Sequence, residues 1–260
     1  MPNRKVAFCT LGCKVNQYET NAMIQEFIKH EYEIVDFEKI ANVYIINTCT
    51  VTNMADRKSR QMIRRVKEIN PDAILVAVGC YAQVGKEELE KIPEIDLILG
   101  TNEKKKIYNL VNEMINKKEF NKNQEGININ QKEKKIDITD VLHCEEYVDF
   151  GEVTFTEKTR AVIKVQDGCD RFCSYCIIPF ARGHIRSRKP ESVVNEITKI
   201  SKLGIKEVVI TGIHLASYGR DFKKSINENS YRLIDLLEEI NKIEGIQRIR
   251  LRLIRTNFNN

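Results

Sequence analysis

The chain has 260 residues, with 42 lysines and arginines against 37 aspartates and glutamates and a formal charge of +5, a balance that by itself says little about nucleic acid. Its 42% of hydrophobic residues is broken before any run reaches the ~20 apolar positions of a bilayer-spanning helix, and its length suits two domains with separate cores. The start, Met-Pro-Asn-Arg-Lys, leads directly into a strand-like run without a signal peptide's apolar stretch, so a cytoplasmic protein is expected, in which eight cysteines point to metal or catalysis rather than disulfides.

In chain order, short apolar runs at Val6–Thr10, Val43–Asn47, Ile74–Val78 and Asp96–Leu99 read as buried parallel strands. Helical spacing fills the intervals at Gln17–His30, Met54–Ile69 and Lys86–Lys91, and again at Glu103–Lys117. This alternation predicts an α/β domain over residues 4–116, an open parallel sheet with helices on both faces. From 117 to 138 Lys, Asn, Glu and Gln dominate without a period, so residues 117–154 are expected to be a solvated linker and connecting segment. A second α/β region follows over 155–260. It comprises strand Ala161–Val165, a cysteine loop, helix Glu191–Leu203, strand Glu207–Thr211, helix Leu233–Ile243 and strand Gln247–Leu251.

The cysteine loop carries Cys169, Cys173 and Cys176 in a C-x3-C-x2-C pattern. Three thiolates this close can wrap one metal centre. A structural zinc would need a fourth ligand, for which His184 or Cys144 is available, and the product would be a non-enzymatic metal-binding module. An iron–sulfur cubane held by three cysteines would instead keep one iron open. Cys13, Cys49 and Cys80 lie 36 and 31 residues apart, too far for a local knuckle. Each follows a predicted strand, and open α/β sheets bind ligands beyond the carboxyl ends of their strands. They could converge on one point, or be three unrelated buried thiols. Cys9, inside the first strand, and Cys144, in a polar connection, read as non-ligands.

The run Asp167-Gly168-Cys169 through Cys176-Ile-Ile-Pro179-Phe-Ala-Arg182-Gly183 resembles the radical S-adenosylmethionine (radical SAM) signature. With Thr10-Leu-Gly-Cys13-Lys-Val-Asn16-Gln-Tyr-Glu19, Ile46-Asn47-Thr48-Cys49 and Val78-Gly79-Cys80-Tyr-Ala-Gln83, most of residues 4–250 resembles the methylthiotransferases. The resemblance implies an incomplete radical SAM (βα) partial barrel after the first domain. It also implies two [4Fe-4S] clusters, one on Cys13, Cys49 and Cys80 and one on Cys169, Cys173 and Cys176. S-adenosylmethionine would chelate the open iron of the second and yield a 5′-deoxyadenosyl radical, with Tyr175 near the adenine. Gly212 would allow the backbone to approach the cofactor's amino-acid end. The first cluster would supply sulfur, giving a methylthio group at C2 of an N6-modified adenosine beside the tRNA anticodon, a base that must be splayed out. The Leu-Gly-Cys-Lys-Val-Asn-Gln-Tyr-Glu loop resembles the threonylcarbamoyladenosine branch more than the isopentenyladenosine or ribosomal-protein branches. Implied partners are tRNA and an electron donor such as flavodoxin or ferredoxin.

Two basic stretches complete the reading. Arg182, Arg186 and Arg188 follow the cysteine loop and are expected to contact tRNA phosphates, with Arg64 and Arg65 as secondary candidates. After Arg250-Leu251 the sequence departs from the family, whose later barrel units and RNA-binding domain are not matched. A truncated chain with impaired activity is therefore expected, its last strand forming a sheet edge.

Overall fold

A computed structural model of the chain describes residues 4–123, 134–156, 159–222 and 231–252. The chain divides into two compact units, Met1–Gly12 with Met23–Thr139, and Cys13–Ala22 with Asp140–Asn260.

The first unit holds strands β1 (Lys5–Thr10), β2 (Glu33–Val35), β3 (Val43–Thr48), β4 (Ile74–Gly79), β5 (Leu97–Leu99) and β6 (Lys135–Asp137). They form one parallel sheet in the order β2-β1-β3-β4-β5-β6. Every residue of β3 and β4 is buried, as central strands covered on both faces must be. Successive side chains go to opposite faces. Tyr44, Ile46, Leu75 and Ala77 enter one core, and Val43, Ile45, Ile74 and Val76 the other. Helices α1 (Lys14–Lys29), α2 (Asn53–Ile69), α3 (Cys80–Val84), α4 (Lys86–Glu90) and α5 (Ile107–Asn123) connect the strands. Thr52 starts α2 by accepting the Ala55 amide on its hydroxyl at 3.2 Å, and Ile63 and Val66 bury its apolar side.

The structure corrects the expected organisation in two places. The segment read as an unstructured linker contains the end of α5 and then β6, which pairs in register with β5 (Ile98↔Ile136) and extends the sheet. The residues Cys13–Ala22, expected in the first domain, pack with the second unit. Tyr18 and Ala22 join Val153 in a small apolar cluster there, and Asn16 and Glu19 find their polar partners there.

The second unit contains β7 (Arg160–Asp167), α6 (Ile178–Arg182), β8 (Arg186–Ser187), α7 (Pro190–Lys202), β9 (Glu207–Gly212), α8 (Leu233–Asn241) and β10 (Arg248–Arg252). The sheet order is β10-β9-β7-β8, with β7, β9 and β10 parallel and β8 antiparallel to β7. This is the βαβαβ succession expected of the start of a (βα) barrel. Proline at the first position and Glu191 in the first turn suit the start of α7, whose Val193, Ile197 and Ile200 pack on Ala161, Ile163 and Val165 of β7. Lys164 and Gln166 alternate with these and point away from that core, carrying polar groups on the other face of β7. Among the described residues no helix is long and apolar enough to cross a membrane.

Candidate functional site

Cys169, Cys173 and Cys176 lie in the loop between β7 and α6, and the loop's neck is tightly built. Asp167 pairs with Arg186 and Gln166 with Ser187, joining β7 to β8 on either side of it. Gly168 has φ +71°, and a Cβ there would fall 1.7 Å from the His184 carbonyl oxygen, so only glycine fits. The Cys169 amide donates to the Gly183 carbonyl at 2.9 Å, and the Gly168 amide to Asp167 Oδ1 at 2.9 Å. Asp170 Oδ1 accepts the Ile185 amide at 3.1 Å and holds His184 Nδ1 at 2.8 Å. Within the loop, Phe172 takes a left-handed conformation (φ 42°) and stands edge-on to Phe180, while the Cys176 amide closes a turn onto the Cys173 carbonyl at 2.8 Å.

The three thiols are free and partly exposed, and the Tyr175 ring between them is 82% exposed. Three separate thiols on one short loop suit a cluster that takes one sulfur per iron. Among the described residues no three His, Cys, Asp or Glu side chains gather as ligands of a single ion. The proposed fourth zinc ligands have other partners: His184 is held by Asp170, and Cys144 Sγ lies 3.4 Å from the Asp140 carbonyl.

Arg182, Arg186 and Arg188 do not face solvent, contrary to the expectation of phosphate contacts. All three are buried, at 0%, 1% and 0% exposure. Arg182 grips Glu19, Nη1 to Oε1 at 2.5 Å and Nη2 to Oε2 at 3.1 Å. It also donates to Asn16 Oδ1 at 2.6 Å and to Asp167 Oδ2 at 3.2 Å. Lys164 Nζ completes the group, 2.7 Å from Glu19 Oε1 and 2.5 Å from Asp167 Oδ2. Burial works to raise the Asp167 carboxyl, but Lys164, Arg182 and Arg186 outweigh it and hold it at about 2. Arg186 donates to the carbonyls of Arg182 (2.6 Å) and Glu146 (3.4 Å). Arg188 pairs with Glu196 at 2.5 Å and with Asp149 at 3.1 Å, and the Tyr18 hydroxyl bonds both Arg188 and Glu196. Burial pushes the Glu196 carboxyl up to about 7 against the pull of Arg188.

Gln166 lies beside this network and organises two strand ends. Its Nε2 donates to the carbonyls of Asp167 and Gly168, at 2.6 and 2.7 Å, and its Oε1 accepts the His214 amide at 2.7 Å. Gly212 is buried against it, since a Cβ there would lie 2.8 Å from Gln166 Oε1. Glycine at this position therefore has a packing reason. Sequence reading missed Asn16, Glu19, Lys164 and Gln166. A lysine inside the apolar run Ala161–Val165 was the available signal, because a strand core buries an ammonium only with an anion beside it.

In the first unit the strand order turns back between β1 and β3, the kind of switch point at which open α/β sheets bind ligands. Cys49 directly follows β3 and Cys80 directly follows β4, and both are buried. Cys13 follows β1 by three residues, and its carbonyl accepts the Gln17 amide to open α1. The ends of β3 and β4 are tied closely. Thr48 Oγ1 donates to the Val78 carbonyl at 2.8 Å and accepts the Ala82 amide at 3.2 Å. Gly79, at φ +107°, would place a Cβ 2.6 Å from Asn47 Oδ1. Cys9 is half-buried in β1, where burial pushes its thiol up to about 11. On α2, Arg64 and Arg65 are on the surface as expected; Arg65 pairs with Glu38, and Arg60 donates to the Tyr81 hydroxyl at 2.6 Å.

Comparison with known proteins matches residues 5–100 to "Uncharacterized protein family UPF0004" and residues 163–258 to the radical SAM superfamily. The chain is 42% identical over 247 residues to the threonylcarbamoyladenosine tRNA methylthiotransferase MtaB of Bacillus subtilis, covering 95% of this chain and 50% of that protein. It is 36% identical to the ribosomal protein uS12 methylthiotransferase RimO of Desulfitobacterium hafniense, covering 96% and 52%. The chain thus spans about half the length of the curated relatives it matches. Among solved structures it is similar in fold to the radical S-adenosylmethionine methyltransferase TsrM of Kitasatospora setae. The TM-score is 0.52 and the identity 15%, over 82% of this chain and 48% of that one.

Proposed function

The chain belongs to the radical SAM methylthiotransferase family, and from that premise we propose that it serves insertion of a methylthio group at C2 of N6-threonylcarbamoyladenosine in tRNA. The observation that carries this reading is identity of 42% running through both units, joined to a cysteine loop whose neck is built around Gly168. The higher identity to the MtaB relative than to the RimO relative favours the tRNA substrate over a ribosomal protein.

In this proposal Cys169, Cys173 and Cys176 hold one [4Fe-4S] cluster. When bound, that cluster supplies the electron that splits S-adenosylmethionine, giving a radical able to take hydrogen from an unactivated carbon. Tyr175, exposed on the same loop, offers a ring face to the adenine. Gly212 contributes by letting the end of β9 close on Gln166, which in turn fixes the backbone at Gly168 and His214. Cys13, Cys49 and Cys80 would hold the second cluster, which would supply sulfur. The partners are tRNA and a low-potential electron donor such as flavodoxin or ferredoxin.

The test is anaerobic reconstitution with iron and sulfide, then incubation with S-adenosylmethionine, a reductant and tRNA lacking the methylthio group. Whatever conversion nucleoside mass spectrometry detects, impaired as expected for a chain that spans about half the length of its relatives, should be of threonylcarbamoyladenosine to its methylthio form. Conversion of isopentenyladenosine instead, or of ribosomal protein uS12, would overturn the substrate assignment.

A further inference from the structure

The buried group of Glu19, Arg182, Lys164 and Asp167 links two stretches of chain that each carry a proposed cluster ligand. Cys13 stands at the head of α1, and its carbonyl accepts the first helical hydrogen bond, from Gln17. Glu19 lies less than two turns further on, at a spacing of ~1.5 Å per residue along a rigid rod. Asn16 and Glu19, three residues apart and so on one face, both reach Arg182. From Arg182 the connection runs to the cysteine loop by two routes. The next residue, Gly183, accepts the Cys169 amide at 2.9 Å. Asp167, held by Arg182 and Lys164, accepts the Gly168 amide on its other oxygen. Two cations and two anions balance, all at 7% side-chain exposure or less.

We propose that Glu19 is a positioning residue that holds the Cys13 segment in register with the loop of Cys169, Cys173 and Cys176. The proposal rests on the methylthiotransferase reading for its purpose, since the centre that Cys13 would help to hold, supplying sulfur, and the one that the other loop would hold, supplying a radical, would have to serve the same carbon. An orientation tolerance of about 1 Å is enough to change such a reaction by about a hundredfold. Glu19 touches no reacting atom and acts through Arg182. A buried, multiply bonded ion group suits this task better than apolar packing, because its hydrogen bonds fix angle and register as well as distance.

The test compares reconstituted wild-type protein with Glu19→Gln and Glu19→Asp. Glu19→Gln with Lys164→Met is the charge-balanced control, since it removes one anion and one cation together. The first readout is amide hydrogen exchange. In Glu19→Gln it should rise about tenfold or more in peptides covering 13–19 and 167–176, and stay unchanged in α8. The second is the ratio of 5′-deoxyadenosine formed to nucleoside methylthiolated. This should rise at least about tenfold in Glu19→Gln, with iron content preserved, and return toward wild type in Glu19→Asp. Exchange unchanged at both segments would overturn the proposal. So would a proportionate loss of deoxyadenosine and product, or loss of iron in both Glu19→Gln and the charge-balanced control, because each marks a purely structural residue. Methylthiolation by the wild type of another nucleoside, or of ribosomal protein uS12, would fail the functional reading, and the exchange measurement still decides whether Glu19 ties the two segments.

Discussion

Arg182 and Glu19, 163 residues apart in sequence, form a two-pronged ion pair with no exposure of either side chain. A guanidinium so placed is neutralised before any phosphate could reach it. Its removal should therefore be read as a change in stability. Arg182→Met takes from Glu19 its two-pronged partner and from Asp167 one of its cations, and should destabilise the second unit by roughly 3–5 kcal/mol in denaturant titration. The salt dependence of tRNA binding should not change with it. Arg64→Ala on the exposed face of α2 should do the opposite, lowering the log–log salt slope by about one while leaving stability within about 0.5 kcal/mol. A reduced salt slope for Arg182→Met in a folded protein would restore it as a phosphate contact.

The two cysteine triads should titrate separately as iron. Replacing Cys169, Cys173 and Cys176 with Ala should remove about half the iron of anaerobically reconstituted protein, and replacing Cys13, Cys49 and Cys80 the other half. Cys9→Ala and Cys144→Ala should leave iron unchanged. Colorimetric iron and sulfide per chain decide the matter, and an unchanged value from either triple variant would reject that triad.

Gly168→Ala tests the neck of the loop. Its Cβ would sit 1.7 Å from a backbone oxygen that cannot swing aside, in a left-handed conformation. Strain of about 1–3 kcal/mol should appear in thermal unfolding, with faster loss of iron from the second unit on exposure to a chelator. Gly204→Ala, at φ +85° with open space around its Cβ position, is the control for backbone strain alone.

The Cys9 thiol should be slow to alkylate. Burial raises it from an ordinary 9.0 to about 11, so at pH 8 the folded protein holds about a hundredfold less thiolate there than the unfolded chain. Because the folded value is the higher one, the stability this thiol contributes is present below pH ~9 and is lost as pH rises towards 11. Peptide mapping after a timed iodoacetamide pulse measures the rate, and labelling of Cys9 at the rate of unfolded protein would refute its burial.

The long strands were legible in the sequence because burial on both faces leaves an unbroken apolar run, as at Ile74–Val78. The strands β2, β6 and β8 were not. A sheet-edge segment such as Lys135-Ile-Asp137 or the two-residue β8 has the composition of a loop, and only its neighbour makes it a strand. That Cys169, Cys173 and Cys176 share one loop between a strand and a helix was legible from their close spacing. The arginines after the cysteine loop were misread because sequence shows a charge without its counter-charge. Glu19 and Glu196 supply that partner only once the chain is folded, and the same gap hid Lys164.

The stitching of β7 to β8 on either side of the cysteine loop has a bearing on its loading. With Asp167 joined to Arg186 and the Cys169 amide fastened to Gly183, the ends of the loop are brought together by hydrogen bonds that use no iron. The entropy of closing the loop is thus met by the sheet itself. Emptying or filling the loop would therefore leave its two ends where the sheet already holds them.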